Sequence, residues 1–406
     1  MKQKIIKNDI YSKESVFSLD NLYKSSAKCD NNVKWKPSVI QYNTRLTLHL
    51  IETFNKILDE TYSPSGEFNE FYINERGKIR FIRAPRYSER IVQKCLCDNC
   101  LNPILINSLI AHNGACIKGK GVGYARSEFK RDLNRLLLNP EYKEKYILFI
   151  DFKKYFDNID HNVLIDMLRP YLADKYLHKI TSEHINSFGE KGLGLGSQVS
   201  QILSVFYSSS LDHYVTNYLH RSLYGRYMDD IYVMGGSKEE LEEIRELMRK
   251  YCEERLHIKF SEHKVKIVKI STEHNRLTRI KYLKCDYLIK DFKIIKVFGG
   301  AGSAHVRERR KLNALHNKLL KRETTLTYIE NMYKGWRYSM VSQFDNVMGI
   351  AMMDNYYMML FGKSSLKRVQ TVKKYYKNDY INKKREVHLL NDKLIYYPKT
   401  DSWEST

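Results

Sequence analysis

The sequence predicts an α+β chain in which short antiparallel strands carry acids and helices surround and follow them. Three observations predict it. Leu223 to Gly236 reads LYGRYMDDIYVMGG: aromatic and apolar residues, then Asp229-Asp230, then β-formers and two glycines, as two strands meeting at a tight bend. Tyr146-Ile147-Leu148-Phe149-Ile150 is a continuous apolar run, the mark of a buried strand, and it ends in Asp151. Lys238 to about Glu254 is highly charged, with Leu241, Ile244, Leu247 and Met248 at helical spacing.

The 406 residues are enough for a large core and two or three subdomains. Lys+Arg of 69 against Asp+Glu of 47 gives a net charge of +22, an excess whose natural partner is a polyanion. A membrane surface is the rival polyanion, but no run of 18 apolar residues exists, and Met348 to Phe361 is interrupted by Asp354 and Asn355. MKQKIIKNDIYSKES has charge without an apolar core, so no signal peptide is visible, and seven cysteines without framework spacing suit a reducing cytoplasm. Cys97-x-x-Cys100 has a zinc-like interval with no second short-spaced pair. Cys95, Cys97 and Cys100 therefore read as small buried thiols on an amphipathic helix, with zinc the minor alternative. No internal repeat is evident.

Taken in order, residues 1 to 65 carry helices around Ser18 to Lys28 and Thr44 to Thr61, joined by a basic loop with Lys34, Trp35 and Lys36. Alternation then marks a hairpin: Phe71 and Ile73 share one face, Glu75-Arg76-Gly77 turns, and Lys78 and Arg80 point opposite to Ile79 and Phe81. CIKGKGVG, containing Lys118 and Lys120, is a basic glycine loop without P-loop spacing, so backbone contact and plain connection both remain open. Glu144-Lys145 read as the end of a polar helix. Asp151 follows the apolar strand, and a helix begins near Asp160-His161; Asp157 and Asp160 read as turn and cap residues. A second glycine cluster, Lys191 to Gln201, precedes a helix from Ile202 to Leu219. HIKFSEHKVKIVKIS supplies a further strand, Gly299 to Ser303 a linker, and Val306 to Leu320 and Thr325 to Met340 basic helices. The last forty residues interleave Lys373, Lys374, Lys383, Lys384 and Arg385 with Tyr375 and Tyr376, as in a solvated tail or a single-strand binder. The chemistry lies in the acids. Asp229 and Asp230 repel each other, and a divalent metal with hard oxygen ligands relieves that. Asp151 would be the third acid of a two-metal site built from separate strands.

Tyr227-Met228-Asp229-Asp230 at a hairpin resembles the catalytic signature of reverse transcriptases, and the likeness runs over roughly residues 65 to 345. KIRFIRAP followed by SERIVQ resembles the fingers of prokaryotic members. DFKKYFDNIDH resembles the first palm motif of group II intron, retron and related bacterial enzymes. IKYLKCDYLI resembles the hairpin that grips a primer end, and Asn331 to Trp336 part of a small helical thumb. Leu-Gly-x-x-x-Ser-Gln at 195–201 is similar to diversity-generating retroelement enzymes and to other bacterial lineages, several of them antiviral. Gly194, Leu195 and Gln201 stand where the commonest version has Pro, Gln and Pro, so the polar contact of that Gln to the incoming nucleotide is missing.

The resemblance implies a right-hand polymerase fold with fingers, an antiparallel palm and a helical thumb. Its divisions are an N-terminal helical extension at 1–65, fingers at 66–125, palm at 126–298, thumb at 299–365 and a basic tail at 366–406. It implies RNA-directed DNA polymerisation from dNTPs with Mg²⁺, for which Mn²⁺ could substitute. Asp151, Asp229, Asp230 and the Phe152 carbonyl would bind metal, and Lys264 would sit near the leaving pyrophosphate as general acid. Lys78, Arg80, Arg90, Lys154, Tyr155, Phe156, Gly196, Ser197 and Tyr227 would frame the nucleotide, with Phe156 as steric gate under the sugar. Lys118, Lys120, Tyr282, Arg310 and Trp336 would meet primer or template. The partners implied are an RNA template, with a dedicated non-coding RNA in antiviral defence favoured over a diversity-generating element, and a DNA product. An accessory protein or a second copy is open, and no membrane is expected. An RNA-dependent RNA polymerase would want a smaller residue than Phe156, and a non-catalytic RNA-binding protein has little reason to keep three acids.

Overall fold

The computed structural model describes residues 11–75, 78–271, 273–299, 303–343, 347–362, 368–373, 385–390, 394–397 and 402–405. The chain divides into two units, Met1–Ile270 and Ser271–Thr406.

In the first unit, α1 (Lys13–Val16) and α2 (Leu19–Cys29) start at Ser12 and Ser18, whose hydroxyls accept from the backbone amides of Ser15 and Asn21. The loop through Trp35 leads into α3 (Pro37–Asn43), a helix the sequence did not announce, with Pro37 at its first position. α4 is Leu46–Leu58. Leu22, Leu50 and Ile57 bury one side of this layer.

β1 (Phe68–Glu75) and β2 (Lys78–Pro85) form the expected hairpin, while Arg76 and Gly77 of its turn lie outside the described residues. Ile73 pairs with Arg80 and Tyr72 with Phe81. Directly opposed residues share a face, so Lys78, Arg80 and Ile73 stand together and Tyr72, Phe81 and Ile79 stand on the other side. α5 (Tyr87–Leu96) runs through one π-helical turn at Cys97–Leu101 into α6 (Asn102–Leu105). Cys95, Cys97 and Cys100 are buried in the core, where burial pushes the Cys95 and Cys100 thiols up to about 12. They pack as inert thiols.

α7 (Val122–Leu138) stops well before Glu144, contrary to the expected helix there. Asn139 precedes Pro140, and a residue before proline is driven out of the helical region. Lys145 already belongs to β3 (Lys145–Asp151) and is buried, its Nζ donating to the carbonyls of Asn139 and Tyr142. α8 (His161–Leu168) is capped by Asp160 and α9 (Lys175–Asn186) by Asp174. The expected helix from Ile202 to Leu219 is instead α10 (Gln198–Tyr207), capped by Ser197, then α11 (Ser209–His213) and a π-helical turn at Tyr214–Tyr218. At the break, Tyr155 Oη donates to the Ser204 carbonyl and bonds the Ser208 hydroxyl.

β4 (Tyr224–Tyr227) and β5 (Asp230–Gly235) form the hairpin of paired acids, α12 (Lys238–Arg255) is capped by Ser237, and β6 is Lys266–Ile270. The sheet runs β4-β5-β3-β6, antiparallel throughout, with the wholly buried β3 in the middle. This unit is α+β, helices packed around a four-stranded antiparallel sheet.

The second unit begins with the meander β7 (Thr278–Tyr282), β8 (Cys285–Lys290) and β9 (Lys293–Gly299). Leu283 and Lys284, between β7 and β8, both have positive φ, the mark of a type I′ turn. α13 (Ser303–Leu320), α14 (Leu326–Gln343) and α15 (Val347–Phe361) enclose Leu312, Ile329, Tyr333, Met353 and Tyr357. Asp354, which interrupts the apolar run of α15, accepts from Arg337 and Tyr333. Two hairpins follow, β10 (Arg368–Lys373) with β11 (Arg385–Leu390) and β12 (Leu394–Tyr397) with β13 (Ser402–Ser405). The linker at 300–302 and the tail residues Lys374, Tyr375, Tyr376, Lys383 and Lys384 lie outside the described residues. Among the described residues no helix is long and apolar enough to cross a membrane.

Candidate active site

The register of the central sheet brings the acids together. Asp151, the last residue of β3, is paired with Asp230, the first of β5, and Tyr227 closes the β4–β5 hairpin against the same Asp230. The loop is thus only Met228 and Asp229. Met228 has φ 56, and a positive φ at the first loop position alone is the mark of a type II′ turn. Behind the turn, Arg226 is fully buried with Asp212.

After Ile258 the chain runs beside the end of β3. Phe152 bridges Phe260, the Lys153 amide donates to the Lys259 carbonyl, and the Ser261 amide donates to the Asp151 carbonyl. A 3₁₀ turn, Glu262–Lys264, follows directly and delivers Lys264 Nζ to 2.6 Å from Asp151 Oδ1. The two residues are 113 apart in sequence. Burial, followed by the charge of Asp151, raises the Asp229 carboxyl above its ordinary range, with a backbone hydrogen bond and then the charges of Lys264 and Arg80 acting against this. Two carboxyls that repel in a half-buried setting are what a hard cation relieves. The donor set, carboxylates plus the backbone at Phe152, therefore fits a divalent ion. Among the described residues no three His, Cys, Asp or Glu side chains are already gathered as ligands, and Lys264 supplies the positive charge at Asp151. Asp230 is exposed at the sheet edge of the turn.

Asp229 and Lys264 open into a cleft of about 820 Å³ lined also by Lys78 and Arg80 from β2, Lys154 and Phe156, and the glycine turn. Phe156 is half-buried, its ring edge-on to Tyr155 at 5.9 Å. Tyr155 is 3% exposed with its hydroxyl held at the α10–α11 break, so it backs the cleft beneath Phe156.

Other candidates fall elsewhere. Arg90, Gly196 and Ser197 line a second cleft of about 440 Å³, together with Lys28, Gln93 and Lys94. Gly196, at φ 114, is where the turn passes between the two clefts. Lys118 is exposed; Lys120 donates to the Ala111 carbonyl and lies over the Tyr124 ring. Tyr227 is half-buried on β4. Tyr282, buried on β7, Arg310, exposed on α13, and Trp336, stacked on Tyr333, belong to the second unit.

The structure adds one cleft residue that the sequence reading passed over. The Arg83 guanidinium lies 4.5 Å from the Phe68 ring centroid, donates to the Phe188 carbonyl at 2.7 Å and reaches Glu70 at 2.9 Å. Its amide donates to the Leu195 carbonyl at 2.8 Å. Arg83 thereby fastens the β1–β2 hairpin to the glycine turn. The only local signal was a third cation in KIRFIR, which alternation assigns to the face of Phe81.

The sequence matches the family described as Reverse transcriptase (RNA-dependent DNA polymerase) over residues 72–289, more than half of the chain, from β1 to β8. In structure the chain is similar to apo telomerase from Candida tropicalis truncated from its C-terminal domain, with a TM-score of 0.43 and 14% identity. That likeness covers 58% of this chain and 56% of the other. It is also similar to telomerase from Candida albicans in complex with a TWJ fragment of telomeric RNA, with a TM-score of 0.44 and 12% identity over 72% of this chain and 58% of that one. This chain spans less than two thirds of either telomerase chain. No curated protein matches it.

Proposed function

Because this chain belongs to the reverse transcriptase family, we propose that it is an RNA-directed DNA polymerase, a nucleotidyltransferase that extends a primer with dNTPs on an RNA template. The observation that carries the reading is the cleft in which Asp229, Lys264, Phe156, Lys78 and Arg80 meet, with Lys264 paired to Asp151 at the end of β3.

Asp151, Asp229, Asp230 and the Phe152 carbonyl would hold two Mg²⁺ ions, or Mn²⁺ in their place. Those ions supply acidity to the primer hydroxyl and charge to the triphosphate. The protein's own side chains do the rest. Lys78 and Arg80, exposed on one face of β2, draw in and hold the triphosphate. Phe156 fills the space under the sugar and excludes a 2′-hydroxyl. Lys264, bonded to Asp151, would give a proton to the departing pyrophosphate. The glycine turn brings backbone close to the nascent base pair. Lys154 and Tyr227 frame the nucleotide, Arg90, Gly196 and Ser197 in the second cleft face the template side, and Lys118, Lys120, Tyr282, Arg310 and Trp336 serve primer and template. On this reading 66–125 act as fingers, 126–298 as palm and 299–365 as thumb.

The biological template is a dedicated non-coding RNA, and the setting bacterial antiviral defence in the cytoplasm. The net charge of +22 supports this, because basic residues extend beyond the matched family region at both ends. The free state of all seven cysteines accords with a reducing compartment. Sequencing nucleic acid that copurifies with the protein from its native host tests the proposal. One enriched non-coding RNA with complementary DNA is the expected result; a random transcript sample without DNA product would refute it.

A further inference from the structure

We propose that Arg226, held by Asp212, is a positioning residue that sets the turn carrying Asp229, and that this is why the ion pair is buried there. The inference rests on the polymerase reading above.

Both side chains are wholly buried. Arg226 Nε donates to Asp212 Oδ1 at 2.8 Å and Nη2 to Oδ2 at 2.7 Å, a bidentate pair, while Tyr224 Oη donates to Oδ1 at 2.6 Å. The fork geometry leaves three N–H donors, of which two reach elsewhere. Nη2 reaches the Val205 carbonyl on α10 at 2.8 Å, and Nη1 reaches the Met228 carbonyl at 3.2 Å. That last carbonyl belongs to the peptide joining Met228 to Asp229, so Arg226 grips the peptide that aims the catalytic carboxylate. Met228 lies at φ 56, a conformation a non-glycine residue keeps only where its surroundings impose it. The Arg226 donor is one such imposition.

The same junction holds the gate. Tyr155, the neighbour of Phe156, donates to the Ser204 carbonyl, and Arg226 to that of Val205, the next residue. The segment bearing Phe156 and the turn bearing Asp229 are therefore hung from two consecutive carbonyls at the end of α10. Asp212 belongs to α11, just past the break. A pair retained for stability alone would be replaceable by apolar residues of similar shape, often without loss. A pair that positions the turn would not.

The test compares the parent with Asp212→Leu/Arg226→Met, in which no buried charge is stranded, and with Arg226→Lys, which keeps the charge but cannot make the bidentate pair and the Met228 bond together. Each is measured by thermal melting, by the rise in melting temperature on adding Mn²⁺, and by primer extension. The double variant is expected to melt near the parent, to lose most of the Mn²⁺-induced rise, and to show kcat lower by roughly a hundredfold with KM for dNTP within about threefold. Arg226→Lys is expected to lose roughly tenfold in kcat with little change in KM. Parent-like kcat and Mn²⁺ response in a folded double variant, or in Arg226→Lys if the double variant does not fold, would overturn the positioning role and leave the polymerase reading intact. Should the parent itself lack polymerase activity, the polymerase reading fails. The Mn²⁺ response then still decides the role of Arg226 without turnover.

Discussion

Lys264 Nζ lies 2.6 Å from Asp151 Oδ1, so a lysine far along the chain neutralises the acid at the end of the central strand. Its partner in the cleft, Asp229, has a carboxyl raised by burial and then by the charge of Asp151. Removing Lys264 leaves both acids less compensated. Lys264→Met is therefore expected to melt lower than the parent in chelator and to recover much of the difference when a divalent ion is added. Its kcat should fall by roughly ten- to a hundredfold through loss of the general acid. Melting curves with and without Mn²⁺, beside single-turnover extension, check both parts. Unchanged melting in chelator would mean that the ion pair does not govern the acids.

Phe156 lines the cleft beside Tyr155, whose hydroxyl is committed to α10. Phe156→Ala opens space without disturbing that anchor. Ribonucleotide use relative to deoxyribonucleotide use is expected to rise by roughly a hundredfold, with dNTP incorporation much less affected. A competition assay with mixed nucleotides reads it, and unchanged discrimination would move the gate elsewhere.

Arg83 ties the hairpin bearing Lys78 and Arg80 to the glycine turn through Phe188, Glu70 and Leu195. Arg83→Ala should loosen the hairpin and raise KM for dNTP about tenfold while kcat changes by less than about threefold. Arg83→Lys should not rescue it, because an ammonium cannot lie over Phe68 and bond both oxygen partners as the planar fork does. Steady-state kinetics on the two variants would show equal KM to the parent if the clamp were idle.

His184 on α9 is buried with neither ring nitrogen bonded, and burial pushes its pKa down to about 4. The unfolded chain takes up this proton near pH 6.5, the folded chain only near 4. The folded state thus has its full stability above about pH 6.5 and loses up to about 3 kcal/mol as pH falls towards 4. His184→Leu removes this loss and an unsatisfied donor together. Urea unfolding across that window should show a shallower acid slope for the variant; identical slopes would contradict the assignment.

Much of the palm was legible because its signals are local. The apolar run of β3, the Tyr227–Asp230 hairpin and the alternation of β1 and β2 each announce an element and its facing, and their pairing follows from the acids meeting at one end. What was not legible depends on distant partners. The break in the helix after Tyr207 depends on the Tyr155 hydroxyl, and the Lys264–Asp151 contact on a backbone bond from Ser261. Arg226 sits next to the signature, yet arginine is almost never fully buried unless paired, and its partner Asp212 carries no local mark. Gly194 in place of proline has a tertiary reason too. A Cβ there would come within 2.4 Å of the Phe188 ring. Arg90 and Ser197 read as nucleotide contacts in sequence, and both line the second cleft, Arg90 from α5 and Ser197 just past the turn at Gly196.

Extension of a primer annealed to RNA, by the parent and by Asp229→Asn/Asp230→Asn, tests the central claim most directly. The amides keep the shape of the turn, and Asp229 as an amide no longer carries a charge that burial and Asp151 oppose. The double variant should therefore fold and retain nucleic acid as the parent does, and yield no DNA product where the parent, supplied with dNTPs and Mg²⁺, extends the primer. A double variant that extends at the parent's rate would contradict the assignment of the cleft as the polymerising site.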